Sequence, residues 1–419
     1  MGRIEELLVE FNPWWSGQFA LDFRPREIYK EISRFHGYNQ ITALTGLRRS
    51  GKSTMLMKAA QDAITGGMNP KSVMYFSFDE LRDMELREVL RSYQTLSGKD
   101  ISSDKTLLLL DEIQKVGDWE NKVKTVYDLY KGRAKIYLSG SESLFVNRKS
   151  KETLAGRIFH FKVNPLTFRE YLEFSGAKFE PVELHEKELR KEFRQYTISQ
   201  GFPELVGVED AAAIQKYLQE GIVEKAIYRD LPEIFHVKES GTMESLLRLL
   251  MEQPGQIIDM QTLASQLRTT RQTISNYLYY LEQAFLVKKL YNYSTNKRKS
   301  ERKLKKFYPA IMSPQLTLKQ DSHTQSVVLE CAVVNSLNAE YFWRDQYKNE
   351  VDIVLTEPEL LPIEVKLSET KSKSLELFIE KHNTKKGYIV TQGTEDKPMG
   401  KTEAIPAYKF LLLRATKKE

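Results

Sequence analysis

Gly46-Leu47-Arg48-Arg49-Ser50-Gly51-Lys52-Ser53 is the stretch on which the fold turns. It satisfies G-x-x-x-x-G-K-[ST] at every position. Ile41 to Leu44 before it can form a strand, and Thr54 to Ala63 after it reads as a helix. A glycine-rich turn between a strand and a helix points backbone amides and a helix N-terminus at one spot, which is a ready cradle for an anion. Gly46, Arg48, Arg49, Ser50, Gly51, Lys52, Ser53 and Thr54 are therefore the candidate phosphate-binding set. Lys52 would reach the β- and γ-phosphates, and the Ser53 hydroxyl would face Mg²⁺. A chance Gly/Lys turn is the competing explanation, and the strand–loop–helix context argues against it.

Working outward, Thr106-Leu107-Leu108-Leu109-Leu110-Asp111-Glu112 is an apolar run ending in two carboxylates. A strand buried on both faces reads this way. Asp111 is placed to hold Mg²⁺ through its water shell, and Glu112 to polarise an attacking water. A further strand, Lys135 to Leu138, ends in Ser139-Gly140-Ser141. A polar residue there would touch the γ-phosphate or the lytic water; Ser141 is preferred to Ser139, and an ordinary Ser/Gly turn is the alternative. Arg157 follows this core. It is either a solvated arginine or one supplied across a subunit boundary to the transferring phosphoryl group.

Short apolar runs at Val73–Phe78, Thr106–Leu110 and Lys135–Leu138 alternate with helical stretches, so a parallel α/β sheet is expected. The whole chain has 419 residues, a prior of two or three domains. Its 63 Lys and Arg against 57 Asp and Glu leave +6, too small an excess to establish a nucleic-acid partner by itself. The single cysteine, Cys331, excludes an internal disulfide framework and a cysteine-cluster metal site, and it reads as a small core residue. The six histidines form no metal-binding pair of the H-x-x-x-H kind. With no apolar run approaching the roughly 20 residues of a membrane span and no leader pattern, a cytoplasmic protein without membrane contact is expected.

Further along come Ala155-Gly156-Arg157, Pro165-Leu166-Thr167-Phe168-Arg169-Glu170-Tyr171, Gly201-Phe202-Pro203-Glu204 and Tyr228-Arg229-Asp230. With the loop and the acidic strand end, these make nearly the whole chain resemble archaeal and bacterial AAA-type P-loop ATPases that carry a C-terminal PD-(D/E)XK nuclease-like domain of unknown function. The resemblance implies ATP hydrolysis more firmly than any biological task.

Two patterns remain. Met260 to Leu267, a turn at Arg268-Thr269-Thr270, and Arg271 to Phe285 read as helix–turn–helix, with Ile274, Leu278, Leu281 and Phe285 at core spacing. Arg271, Gln272, Ser275 and Asn276 then lie where a recognition helix meets DNA. A strand over Leu286–Tyr293 follows. In Lys297 to Lys306 seven of ten residues are basic. That stretch reads as a winged helix with a positive wing, in which Lys297, Arg298, Lys303, Lys305 and Lys306 would contact phosphates; a plain packing module with a solvated charge run is the alternative. Beyond it, Asp352 on one strand and Glu364 and Lys366 on the next fit Asp…Glu-x-Lys. Residues i and i+2 of a strand share a face, so the three would converge, with Glu330 of the preceding helix as a further carboxylate. Such a set can hold a second Mg²⁺ or Mn²⁺ for nuclease chemistry, and two strands with exposed ion pairs would look the same.

The expected architecture is α/β: a P-loop parallel sheet with N-terminal extension over 1–165, a helical lid over 166–240, a winged helix over 241–310 and a PD-(D/E)XK-like α/β domain over 311–419. The expected function is a Mg²⁺-dependent ATPase coupled to DNA binding and to DNA processing. The alternative is a nucleotide-controlled switch acting on a protein partner, with the nuclease-like domain silent. A role for Arg157 in trans would imply a homo-oligomer or a partner-induced one.

Overall fold

The computed structural model describes residues 2–17, 19–79, 84–140, 152–296, 304–393 and 396–415. The chain divides into two compact units, Met1–Pro165 and Leu166–Glu419.

The first unit holds β1 (Ile41–Thr45), β2 (Val73–Ser77), β3 (Thr106–Asp111), β4 (Ala134–Gly140) and β5 (Ile158–Lys162). They form one sheet in the order β2-β3-β4-β1-β5, parallel throughout. All six residues of β3 are buried, and the strand's alternation sorts its leucines between two cores. Leu107 and Leu109 meet α2 (Glu27–Ser33) and α3 (Lys52–Thr65). Leu108 and Leu110 meet α1 (Arg3–Phe11), α4 (Leu86–Ser97) and α5 (Trp119–Leu129). Helices on both faces of a parallel sheet are what its continuous apolar strands require. β5 was not anticipated; it is a half-buried edge strand in which His160 and Lys162 dilute the apolar signal.

The other edge, β2, is closed by the N-terminal segment. Asn12 donates from Nδ2 to the Tyr75 carbonyl (2.9 Å) and accepts the Tyr75 amide at Oδ1 (2.7 Å). Both Trp14 and Trp15 donate their indole N–H to the Val73 carbonyl (3.0 and 2.9 Å). Side chains thus occupy an edge that would otherwise offer unpaired backbone groups.

In the second unit, α6 (Phe168–Ser175) begins with a Thr167/Glu170 capping box and is followed by α7 (Glu186–Ser199). α8 (Ala211–Leu218) runs through π-helical turns over 219–230 into α9 (Leu231–Phe235). Then come α10 (Ser240–Glu252), α11 (Met260–Gln266) and α12 (Arg271–Gln283). Among the described residues this unit also holds α13 (Ser322–Ser336), α14 (Lys373–His382), α15 (Ala407–Ala415) and nine strands: β6 (Gln256–Ile257), β7 (Val287–Asn292), β8 (Lys305–Pro309), β9 (Tyr341–Arg344), β10 (Glu350–Leu355), β11 (Leu361–Lys366), β12 (Gly387–Thr391), β13 (Lys397–Met399) and β14 (Thr402–Pro406).

These strands form one mixed sheet, β13-β14-β12-β11-β10-β9-β7-β8-β6. β9 was missed in the sequence, and it is the strand that joins the parts. It pairs with β10 on one side and, through Tyr291↔Tyr341 and Asn292↔Phe342, with β7 on the other. The sheet therefore runs across position 310, where a domain boundary was expected. The segment read as a lid also shares this unit's core: Phe168, Tyr171, Leu172, Leu189 and Tyr196 belong to one cluster with Val328, Leu329, Ala332 and Leu412.

Candidate functional site

Gly46 has φ 153° and Gly51 has φ 97°. A Cβ on Gly46 would lie 2.2 Å from the Val163 carbonyl oxygen, so the loop's first turn admits no side chain. Arg49 also takes positive φ. Lys52 is buried, and its ammonium donates to the Gly46 and Leu47 carbonyls (3.2 and 2.9 Å). Ser53 and Thr54 are exposed in the first turn of α3. Ser50 Oγ is buried without a hydrogen-bond partner. Arg48 Nη2 pairs with Asp79 at 3.1 Å. Arg26, which the sequence did not single out, backs the loop: it is 5% exposed and donates to the carbonyls of Ser50 (3.2 Å) and Asn164 (2.9 Å).

Beside the loop, Asp111 is almost fully buried at the end of β3. Ser53 Oγ donates to its Oδ2 at 2.6 Å, and the Tyr75 hydroxyl to the same oxygen at 2.7 Å. Ser139 Oγ bonds the other oxygen, Oδ1, and accepts the Glu112 amide at 3.2 Å. Tyr75 and Ser139 were missed in these roles. Ser139 is the serine the structure brings to the acidic strand end; Ser141, preferred on sequence, lies outside the described residues.

Glu112 takes φ 54°, and its carboxylate accepts from Gln114 Nε2. Burial pushes its pKa up, the Lys52 ammonium opposes that, and Asp111 adds to it. A carboxylate of raised basicity beside a buried lysine is suited to taking a proton. Hard oxygens at Ser53 and Asp111, an acceptor-rich strand end and the orphaned Ser50 hydroxyl fit a nucleotide phosphate with Mg²⁺.

Arg157 is not part of this group. It immediately precedes β5, and its carbonyl accepts from the Ile41 amide at the start of β1. The loop follows the other end of β1, about 16 Å away at the usual strand rise. Its guanidinium pairs instead with Asp128 (3.0 and 3.4 Å).

In the second unit the predicted carboxylates do converge. The β10–β11 register, Ile353↔Ile363, places Asp352 opposite Glu364, and Lys366 Nζ lies 3.3 Å from Glu364. Asp352 Oδ2 accepts the Val365 amide at 2.8 Å. Lys306 corrects the expectation of a phosphate contact. It is 5% exposed, and its ammonium lies 2.6 Å from Glu350, 3.3 Å from Glu330 and 3.7 Å from Asp352. The alternation of β8 turns it inward, where Tyr308 of the same face also donates to Glu330 at 2.6 Å. A metal would have to displace this ammonium. Among the described residues no group of three or more His, Cys, Asp or Glu side chains is placed to hold a metal.

Burial, then Glu330 and Glu364, raises Asp352 well above the carboxylate range. Burial lifts Glu364 to about 7 against the pull of Lys366. Cys331 is fully buried beside this centre, and burial raises its thiol, so it is a core residue.

On α12, Arg271 and Gln272 are exposed and Ser275 and Asn276 half-exposed, while Ile274, Leu278 and Leu281 are buried. Gln272 donates to Asn276 at 2.9 Å. Lys305 lies with its ammonium 5.7 Å from the Tyr291 ring. Lys297, Arg298 and Lys303 lie outside the described residues.

With the loop, the acidic strand end and the parallel sheet in place, the match to known families follows. Residues 38–172 match the AAA domain family. The match covers most of the first unit, a parallel α/β domain, and the start of the second. Residues 190–310 and 322–410 match two domains of unknown function (DUF8612 and DUF4143). An uncharacterized protein of Methanocaldococcus jannaschii is 27% identical over 94% of this chain and 89% of its own length. Among solved structures, AMPPCP-bound DnaA from Aquifex aeolicus overlays with TM-score 0.29 and 16% identity, covering 63% of this chain and 90% of that one. A STAND protein with a tetratricopeptide repeat sensor from Pyrococcus horikoshii overlays with TM-score 0.33 and 12% identity, covering 76% and 46%. Among the described residues no helix is long and apolar enough to cross a membrane.

Proposed function

We propose that the AAA domain hydrolyses ATP with Mg²⁺. The observation that carries this is the 2.6 Å hydrogen bond from Ser53, in the loop, to Asp111, at the end of β3. It brings the two halves of the phosphate site together across about 60 residues of chain, by the count from Ser53 to Asp111. The loop amides and Lys52 would take the β- and γ-phosphates, Lys52 exchanging its carbonyl partners for phosphate oxygens. Ser53 and Asp111 would hold Mg²⁺, which neutralises charge on the phosphates. Glu112 would accept a proton from water as its oxygen attacks the γ-phosphorus; the bond to the β–γ bridging oxygen breaks, and ADP and phosphate leave. Arg157 would act on a neighbouring chain's nucleotide, since it lies a strand length from its own.

Steady-state ATP hydrolysis tests this. Lys52→Ala should abolish turnover, and Glu112→Gln should lower it about 10²–10⁴-fold while ATP still binds. Turnover that survives Lys52→Ala would refute the proposal.

For the second unit the reading is a nucleic-acid contact at Arg271, Gln272, Ser275 and Asn276 and a carboxylate centre that performs no cleavage. Lys306 favours the silent centre, because an internal cation already compensates the carboxylates. Duplex, single-stranded and branched DNA, added in turn with Mg²⁺ or Mn²⁺, should stimulate ATP turnover in at least one form and remain uncut. Cleavage lost in Lys366→Ala would overturn the silent reading. Turnover indifferent to every DNA would instead favour a protein partner.

A further inference from the structure

The second unit contains a cavity of about 260 Å³ whose lining includes none of Lys306, Glu330, Glu350, Asp352, Glu364 and Lys366. β11, β12 and β14 run parallel, so their carboxyl ends share one edge. The cavity lies at that edge: Thr391 closes β12, and Ala407 and Tyr408 open α15 directly after β14. Crevices outside the carboxyl ends of strands are where α/β sheets take ligands. Here the first turn of α15 also contributes amides not used within the helix.

The lining has a definite chemistry. Arg190 and Arg194, one turn apart on the same face of α7, and Lys319 bring three cations. Among the described residues no acidic side chain lines the cavity; Glu186, one turn before Arg190, pairs with Arg190 at 3.1 Å. Phe193, Val328 and Leu329 supply an apolar wall. Tyr408 lines the same space and is only 3% exposed, and the Arg190 guanidinium lies 5.9 Å from its ring. The volume lies just below the roughly 300–1,000 Å³ of ordinary ligand pockets, which limits the occupant to a small molecule.

We propose that this cavity binds a small organic phosphate. The phosphate lies among Arg190, Arg194, Lys319 and the start of α15, and an aromatic ring lies against Phe193. A free nucleotide and the 5′-phosphate end of a nucleic acid present the same chemistry, and the test separates them.

The probes are AMP, inorganic phosphate and a 5′-phosphorylated oligonucleotide, titrated calorimetrically into the full chain carrying Lys52→Ala, which disables the P-loop. AMP should still bind. Adding Arg194→Ala should weaken it roughly ten-fold or more, the loss expected for a charge-assisted hydrogen bond. Tyr408→Phe should weaken binding, since it removes a hydroxyl from the cavity lining. In a chain with Lys52 intact, Arg194→Ala should leave ATP turnover unchanged. Tighter binding of the oligonucleotide than of AMP, still lost in Arg194→Ala, would identify the source as a nucleic-acid end. Absence of AMP binding, AMP binding indifferent to Arg194→Ala, or inorganic phosphate binding as well as AMP would each overturn the proposal.

Discussion

At the scale of single residues, Lys306 decides the character of the C-terminal centre. One ammonium faces three carboxylates from two elements, Glu330 on α13 and Glu350 and Asp352 on β10. Breaking a buried pair by removing one partner is strongly destabilising, because charge is left without compensation. Lys306→Met should therefore cost about 3–5 kcal/mol, read from the denaturant midpoint; an unchanged midpoint would show that water already screens the site. Glu364 gives a pH signature. Its folded pKa of about 7 lies above its ordinary 4.5, so between those values the folded chain keeps a proton that the unfolded chain releases. Its contribution to stability is full below about 4.5 and is lost as pH rises through 7, in the same direction as that of Asp352. Thermal unfolding at pH 5.5 and 8 should show this loss, and Glu364→Gln should flatten it.

At the scale of elements, the N-terminal segment acts as the missing neighbour of β2. The Asn12 amide reproduces a strand's donor and acceptor opposite Tyr75. Asn12→Ala would leave both backbone groups of Tyr75 unpaired at the sheet edge, at about 1–3 kcal/mol for each group that stays buried. The expected outcome is a lower melting temperature together with faster hydrogen exchange at Tyr75. Slow exchange at that amide in the variant would contradict the edge-sealing role. Tyr75 also donates to Asp111, so the edge seal and the phosphate site share a strand.

At the scale of the whole molecule, the placement of Arg157 bears on assembly. It belongs to the amino end of the sheet, whereas Lys52, Ser53, Asp111 and Glu112 belong to the carboxyl end. If a second chain supplies Arg157, turnover per chain should rise with protein concentration. Arg157→Ala and Glu112→Gln should each be strongly slowed alone. Mixed, they should recover part of the activity, because one interface then carries both intact residues. Recovery to no more than the sum of the separate rates would place the arginine outside the reaction.

The sequence by itself determined where the first unit's glycine-rich loop and acidic strand end lie. Gly46–Ser53 is local, its glycines and lysine are needed at fixed offsets, and β3 announces itself because both its faces are buried. The pairing of Glu364 with Lys366 was equally legible, since strand alternation is a rule of period two. What only the tertiary structure decided depends on partners far apart in the chain. A basic run reads as a solvated wing until β8 is placed in a sheet whose face carries Glu350 and Asp352; only that neighbourhood turns Lys306 inward. That Ser139 meets Asp111 required knowing where β4 ends beside β3. β9 and β5 are short and half-polar, and their pairing, rather than their composition, makes them strands. The nine-stranded sheet across position 310 follows from the same cause: hydrogen bonds between β7 and β9 leave no trace in either segment's own residues, because the backbone groups that form them are common to every residue but proline.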